Sequence, residues 1–379
     1  MNILHIIPTL GCGGAETLVS NLAIQQAKIG HNVKIVLLEP LHYTFENFIS
    51  KDELLRLVSI EKISTQIQFS FLKKSVKLSN NEFDEIISNF SPHVIHSHLF
   101  QAELVSRFKI YKNVKYFTHC HNNMTQFDFW KKKSIKRRII DYLEIRWLLK
   151  QYKKTNNNFI AISKNTESYF KKRLPKSFTN RVTFLPNSIN SSLYFNAEKF
   201  DHSITKLITV GNLLENKGHL FLIEVVSELK KMNLNIQLEI LGFGVMENIL
   251  KTKIKELQLT DNVYLRGSVS NVNEYLSKSD IYIHGAYKEA FGLVLIEAMA
   301  SNLPVVTTAG GGNDELIIED YNGYLILNRD LKLFVEKIKY LIVNISERIR
   351  IGDSAKEYSK EYDIKSYTEK LIQLYKGNH

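Results

Sequence analysis

The chain has 379 residues, 44% of them hydrophobic and 23% charged, with only 17 glycines and 6 prolines, which excludes a disordered or fibrous polymer and points to two globular cores. Two cysteines, Cys12 and Cys120, exclude a disulfide framework or a cysteine-built zinc site and fit a reducing cytoplasm. The net charge of +11 is lopsided, with 28 basic and 14 acidic side chains in residues 1–195 against 22 and 25 in residues 196–379, so an anionic partner is expected to meet the first half.

In chain order, apolar runs at Asn2–Ile7, Asn32–Leu38, His93–His96 and Val114–Thr118 read as strands, with helical periods at Ala15–Ile29 and Leu99–Lys109 between them. Strand-helix-strand alternation is the rhythm of a parallel sheet. It restarts after the polar stretch Asn196–Thr205, with strands at Lys206–Val210, Ile236–Leu241, Val263–Leu265, Ile281–Ile283 and Val305–Thr307. The expected domains are 1–195 and 196–363, with 364–379 a C-terminal helix packing back on the first. No basic leader precedes the first strand, and no uncharged apolar run nears the roughly 18 residues of a spanning helix. The expected location is the cytoplasm, with peripheral contact at the inner face of the cell membrane.

Several segments are candidates for chemistry. Gly11-Cys12-Gly13-Gly14-Ala15-Glu16 joins the first strand to a helix whose free amides and positive dipole end would face an anion. It lacks the third glycine of the dinucleotide fingerprint, which argues against a nicotinamide oxidoreductase, and a plain tight turn would also account for it. Lys217, after the first strand of the second half, is placed to neutralise a diphosphate, or is a lone surface lysine. Glu289 and Glu297 bracket Ala290-Phe291-Gly292-Leu293-Val294-Leu295-Ile296; with a helix over Phe291–Ala300, both can face a cleft above the strand ends, although for an isolated carboxylate pair a capping Glu289 and a solvated Glu297 are the favoured reading. His119-Cys120-His121 ends a first-domain strand, and His96-Ser97-His98 makes a second His-x-His; a four-histidine metal site is the alternative to the metal-free reading. There is no Asp-x-Asp to hold a divalent ion under a nucleotide diphosphate, so charge there falls to Lys217 and helix amides.

Taken in order, Gly-Gly-Ala-Glu at 13–16, His121-Asn122, Pro186-Asn187-Ser188, Val210-Gly211 with Lys217-Gly218, Glu289-Ala290-Phe291-Gly292 to Glu297-Ala298-Met299, Pro304-Val305-Val306 and Asn322-Gly323 resemble glycosyltransferase family 4. The resemblance implies an α/β GT-B fold, two Rossmann-like doubly wound domains facing each other across a cleft. It implies a retaining, metal-independent hexosyltransferase that needs no cofactor, takes a nucleotide-sugar donor, most often a UDP-sugar, and uses a saccharide or lipid-linked saccharide acceptor in lipopolysaccharide or capsule synthesis. Gly13 and Gly14 would lie by the donor diphosphate, His121 would touch the transferred sugar, and Lys217 would hold phosphate. Glu289 and the backbone of Phe291, Gly292 and Leu293, with Val294 beside them, would hold sugar hydroxyls and phosphate, and Glu297 the ribose. His121 and Glu289 carry the catalytic expectation. Asn212 departs from the pattern, because the family usually has an arginine after Val-Gly; Lys217 and the helix amides remain to keep activity, and His119 and Arg266 are the candidates to compensate.

Residues 127–154 read Phe-Asp-Phe-Trp-Lys-Lys-Lys-Ser and onward, with ten basic and two acidic groups over 131–154. Ile135, Ile139, Tyr142, Leu143, Arg146 and Trp147 form one helical stripe, with Phe127, Phe129 and Trp130 ahead of it, as in a helix lying on anionic lipid. A core-packed helix with a solvated basic face is the alternative. No nucleic-acid module accompanies the charge. Two further readings share the architecture: a nucleotide-sugar 2-epimerase, and a non-catalytic partner subunit, which Asn212 invites.

Overall fold

The computed structural model describes residues 1–65, 67–70, 75–78, 82–128, 134–194 and 204–377. Two compact units form, Met1–Asn187 with Tyr367–His379, and Ser188–Ser366. The boundary expected at 195/196 lies outside the described residues; the units divide at Asn187/Ser188.

In the first unit, strands β1 (Asn2–Ile7), β2 (Asn32–Leu37), β3 (Ser59–Lys62), the antiparallel pair β4 (Ile67–Ser70) and β5 (Ser75–Leu78), β6 (Val94–His98), β7 (Lys115–Cys120), β8 (Asn158–Ala161) and β9 (Val182–Phe184) follow in order. All but β4 and β5 join one parallel sheet, β3-β2-β1-β6-β7-β8-β9. Central strands of such a sheet are covered on both faces and so read as continuous apolar runs; Ile3, Leu4, Ile6 and Ile7 of β1 are fully buried. One core gathers Leu4, Ile6, Phe83, Ile95 and Val105, and another Ile7, Val19, Ile35 and Leu54.

The second unit carries β10 (Thr205–Val210), β11 (Ile236–Leu241), β12 (Val263–Gly267), β13 (Ile281–His284), β14 (Val305–Thr308) and β15 (Gly323–Ile326) in the parallel order β12-β11-β10-β13-β14-β15. Its core includes Leu207, Leu222, Ile240, Ile283, Val306 and Phe334. In each sheet the order reverses beside its first strand, between β1 and β6 and between β10 and β13. Loops from the C-terminal ends of strands flanking such a point diverge and leave room for a ligand.

The helix Ile364–Lys376 returns to the first unit: Tyr375 packs edge-on against Phe117 at 4.8 Å between ring centroids, and Lys115 Nζ donates to the terminal carbonyls of Tyr375 at 2.8 Å and Lys376 at 2.9 Å.

A buried ionic knot ties the first unit's elements together. Arg107, just past the helix Phe100–Ser106, is fully buried and donates to Ser97 Oγ at 2.6 Å, Asn157 Oδ1 at 2.6 Å and Thr118 Oγ1 at 3.0 Å, while pairing with Glu103 at 3.2 Å. Glu103 also accepts from Thr118 Oγ1 at 2.7 Å and Tyr152 OH at 3.0 Å. Burial pushes the Glu103 carboxyl up to about 7, against the pull of Arg107. Removing one member of a buried pair strands the other charge. Arg107→Leu is therefore expected to cost about 3–5 kcal/mol of unfolding free energy, read as a lowered urea midpoint; an unchanged midpoint would show that the knot adds nothing.

Candidate active site

In the second unit the strand-end loops meet where two glycines touch. Gly218, at φ +70°, lies so close to Gly285 that a Cβ on it would sit 2.0 Å from the Gly285 carbonyl oxygen, and a Cβ on Gly285 would sit 2.6 Å from the Gly218 oxygen. The loop after β10 is thereby pressed against the loop after β13, and their charged side chains meet: Lys217 Nζ lies 2.5 Å from Glu289 Oε2. His284, buried at the end of β13, brings Nε2 to 3.6 Å of the same oxygen, beyond hydrogen-bond length but within electrostatic reach. Burial would raise the Glu289 carboxyl, but His284 and Lys217 outweigh it and hold the group at about 2, so it is a carboxylate at neutral pH. Burial lowers the proton affinity of His284, and the Glu289 carboxylate beside it pulls the other way.

Glu289 is fixed from the other side by backbone. Its N–H donates to the Gly310 carbonyl at 2.9 Å, and its carbonyl accepts from Gly312 N at 2.9 Å. Gly311, at φ +81°, would put a Cβ 2.4 Å from the Glu289 oxygen. The Gly310-Gly311-Gly312 run belongs to this site and was not singled out from sequence, although three consecutive glycines after a buried strand are themselves a sign of close backbone approach.

The helix begins at Leu293, two residues later than the expected Phe291, with Gly292 at φ +98° as its cap. First-turn amides of a helix lack intrahelical acceptors, so the segment Gly292–Val294 offers donors from the same chain stretch that carries Glu289. Glu297 is not solvated: it is 9% exposed, hydrogen-bonded to Tyr194, and raised by burial to about 7. Asn212 is exposed. Neither stand-in for the missing arginine is available as a free cation. Arg266 is held bidentate by Glu239 at 2.5 and 2.9 Å, and His119 belongs to the first unit, where burial keeps its ring neutral.

In the first unit the Gly13 amide is already occupied. It donates to Glu16 Oε2 at 2.7 Å, so the N3 side chain of the helix Gly14–Lys28 reaches back to the N-cap amide, the one arm of a capping box that a glycine N-cap allows. The Glu16 carboxylate thus stands where an anion at this helix end was expected; burial raises its proton affinity and the Gly13 bond lowers it. His121, 7% exposed, follows β7 directly and sits inside a cluster with His5, His96, His98 and His119, all buried. Ring nitrogens of His5, His96 and His98, and of His98, His119 and His121, lie within 4.8 Å of one another. The two His-x-His pairs do converge; His5, unnoticed in the sequence, joins them because β1 pairs with β6.

The helix Ile135–Thr155 turns Asp141, Glu144, Ile145, Leu148 and Tyr152 inward, with Arg137 paired to Asp141 at 2.7 Å. Part of the expected stripe faces outward: Ile135 is 75% exposed and Tyr142 44%. Phe127 does not belong to it, being 6% exposed in a core cluster with Phe159 and Phe170, and Phe129 and Trp130 lie outside the described residues. Among the described residues, no helix is long and apolar enough to cross a membrane.

Two parallel-sheet units with loops converging at the strand ends are the architecture of GT-B glycosyltransferases. A model of Glycosyltransferase Family 4 matches residues 12–193 and one of Glycosyl transferases group 1 matches residues 191–358, between them nearly the whole chain. The chain belongs to glycosyltransferase family 4. An uncharacterized glycosyltransferase of Haemophilus influenzae is 26% identical over 96% of this chain and 96% of its own length. The N-acetylgalactosamine-N,N'-diacetylbacillosaminyl-diphospho-undecaprenol 4-alpha-N-acetylgalactosaminyltransferase of Campylobacter jejuni is 31% identical over 41% of this chain and 42% of its own. A structure of Anabaena HepE in complex with UDP and glucose has the same fold, with a TM-score of 0.76 at 16% identity over 99% of each chain.

A carboxyl that binds its proton more tightly folded than unfolded stabilises the protein fully below its unfolded value, here 4.5, and loses that contribution as pH rises to its folded value near 7. Glu297→Gln keeps an acceptor for Tyr194 and removes the titration. Denaturation at pH 4.5 and 7.5 is expected to show a smaller loss of stability in the variant than in wild type; parallel losses would mean that Glu297 titrates normally.

Proposed function

We propose that the chain transfers a hexose, with retention and without a metal ion, from a nucleotide diphosphate donor, a UDP-sugar before the others, to a lipid-linked saccharide in surface polysaccharide synthesis. The observation that carries the donor side is the Lys217–Glu289 pair beside the Gly292-capped helix. Lys217 and the first-turn amides would receive the charge that develops on the departing diphosphate, and Glu289 would fix sugar hydroxyls. Gly13, Gly14 and His121 would act from the first unit, and Glu297 would take the ribose hydroxyls. A leaving diphosphate that accepts the incoming hydroxyl's proton on the same face needs no side-chain base, which suits a site whose one strongly acidic carboxylate is paired with lysine. The UDP and glucose held by the Anabaena protein favour the donor class, and the undecaprenol-linked acceptor in the Campylobacter relative's name favours the acceptor class.

The donor reading is tested by thermal shift and calorimetry against UDP-, GDP-, ADP- and dTDP-sugars with EDTA present. One nucleotide sugar is expected to bind, Lys217→Ala to abolish most of that binding, and Glu289→Ala to reduce transfer at least tenfold. No binding by any donor would favour a non-catalytic partner subunit, a reading that exposed Asn212 and engaged Arg266 also fit.

The outward face of the helix Ile135–Thr155, with Ile135 and Tyr142 among exposed Lys136, Arg146, Lys150, Lys153 and Lys154, suits contact with an anionic bilayer. The protein should co-sediment with phosphatidylglycerol vesicles in low salt, less so in high salt, and not with phosphatidylcholine alone. Protein left in solution in every case would remove the membrane from the proposal.

A further inference from the structure

Three histidines and a glutamine in the first unit form a single hydrogen-bonded file. Gln26 Oε1, on the helix Gly14–Lys28, lies 2.8 Å from His5 Nε2; His5 Nδ1 lies 3.0 Å from His98 Nε2; and His98 Nδ1 lies 2.9 Å from His121 Nε2. The file ends at His121 Nδ1, which is buried and has no hydrogen-bond partner. Its rings come from the middle of β1, the end of β6 and the residue just past β7, neighbouring strands of one sheet, and Gln26 is fully buried.

Burial keeps all three rings neutral at pH 7, with His5 lowered to about 4, His121 to about 3 and His98 well below its usual range. A neutral imidazole has one N–H and one lone pair, so the direction of one bond in the file dictates the next. The Gln26 oxygen can only accept, so His5 carries its proton on Nε2 and accepts at Nδ1. His98 must then donate through Nε2 and accept at Nδ1, and His121 must donate through Nε2. What remains on His121 is a bare lone pair at Nδ1. The opposite amide orientation would reverse every bond and leave an N–H there instead. A metal ion fits the cluster less well, because His98, shared by both close triads, already spends both nitrogens on other imidazoles.

We propose that Gln26, acting through His5 and His98, sets the tautomer of His121, so that its Nδ1 accepts a hydroxyl hydrogen from the bound sugar and disfavours a group that only accepts, such as a carboxylate. Gln26, His5 and His98 are positioning residues in this scheme, the 93 positions between His5 and His98 being bridged by the pairing of β1 with β6. The sugar contact rests on the placement of His121 under the proposed function; the tautomer does not.

The test is nitrogen NMR of the full chain with labelled imidazoles, His121 being identified by its loss in His121→Asn. Wild type is expected to show His121 protonated on Nε2 and bare on Nδ1, with coupling across the His98–His121 bond. Gln26→Glu, which still accepts, should keep that tautomer, and Gln26→Leu should give a mixture. A His121 protonated on Nδ1, a mixture in wild type, or a tautomer untouched by Gln26→Leu in a folded protein would each overturn the proposal, as would stoichiometric zinc in the purified protein. Calorimetry then separates a directing role from a merely structural one. Gln26→Leu should weaken UDP-glucose about 3- to 10-fold, the worth of one net hydrogen bond, and leave UDP unchanged. Equal weakening of both would make Gln26 structural. Wild-type failure to bind UDP-glucose, with the tautomer as stated, would strike the donor placement of His121 and not the file.

Discussion

The close contact between Gly218 and Gly285 is the constraint on which the second unit's site depends. No residue with a Cβ fits at either position without moving backbone, and without that approach the loops after β10 and β13 would stand a side chain further apart. Lys217 and Glu289, 72 residues apart in sequence, would then lose their direct pairing. The glycine run at 310–312 repeats the device from the far side, where it locks the Glu289 backbone through two hydrogen bonds. Rigid backbone on both flanks means that the charged pair is placed by main chain rather than by flexible side-chain reach, the arrangement that holds a polar site in register with least entropy left to lose.

The two units handle polarity differently. The second uses ions, with a carboxylate held charged by lysine and a nearby imidazole. The first uses neutral rings at the ends of β6 and β7, and surrounds its fully buried Arg107–Glu103 pair with serine, threonine, asparagine and tyrosine groups. That knot joins β6, β7, the helix Ile135–Thr155 and the start of β8, the scaffold on which His98 and His121 sit. Uncharged imidazoles tolerate such burial where five protonated rings in one cluster would not.

Much of this was legible in the sequence, and the rest was not for specific reasons. Long buried strands such as Asn2–Ile7 and Ile236–Leu241 stand at the expected residues, because apolar side chains dominate them even where His5, Gln237 and Glu239 interrupt the run. Ser59–Lys62, Asn158–Ala161 and Val182–Phe184 escaped, being three or four residues long at or toward a sheet edge. The segment from Glu289 to Glu297 was identified by spacing, yet the burial of Glu297 and its tyrosine partner depend on a residue 103 positions earlier. Glu16 was read as part of a motif and proved to be the cap of its own helix, a role that the three-residue spacing from Gly13 permits but does not force. Phe127 looked like an interfacial aromatic and is core, because its neighbours Phe159 and Phe170 arrive from distant elements.

The return of the C-terminal helix has a consequence for the order in which the protein is made. Tyr375, which covers Phe117 and bonds to His96, is synthesised after the whole of Ser188–Ser366. At ribosomal speeds of roughly 5–20 residues per second, those intervening residues take roughly 10–40 s to emerge. Through that interval the first unit exists with one flank of its sheet uncovered, so the nascent chain must keep an apolar surface from sticking elsewhere until the helix Ile364–Lys376 leaves the tunnel.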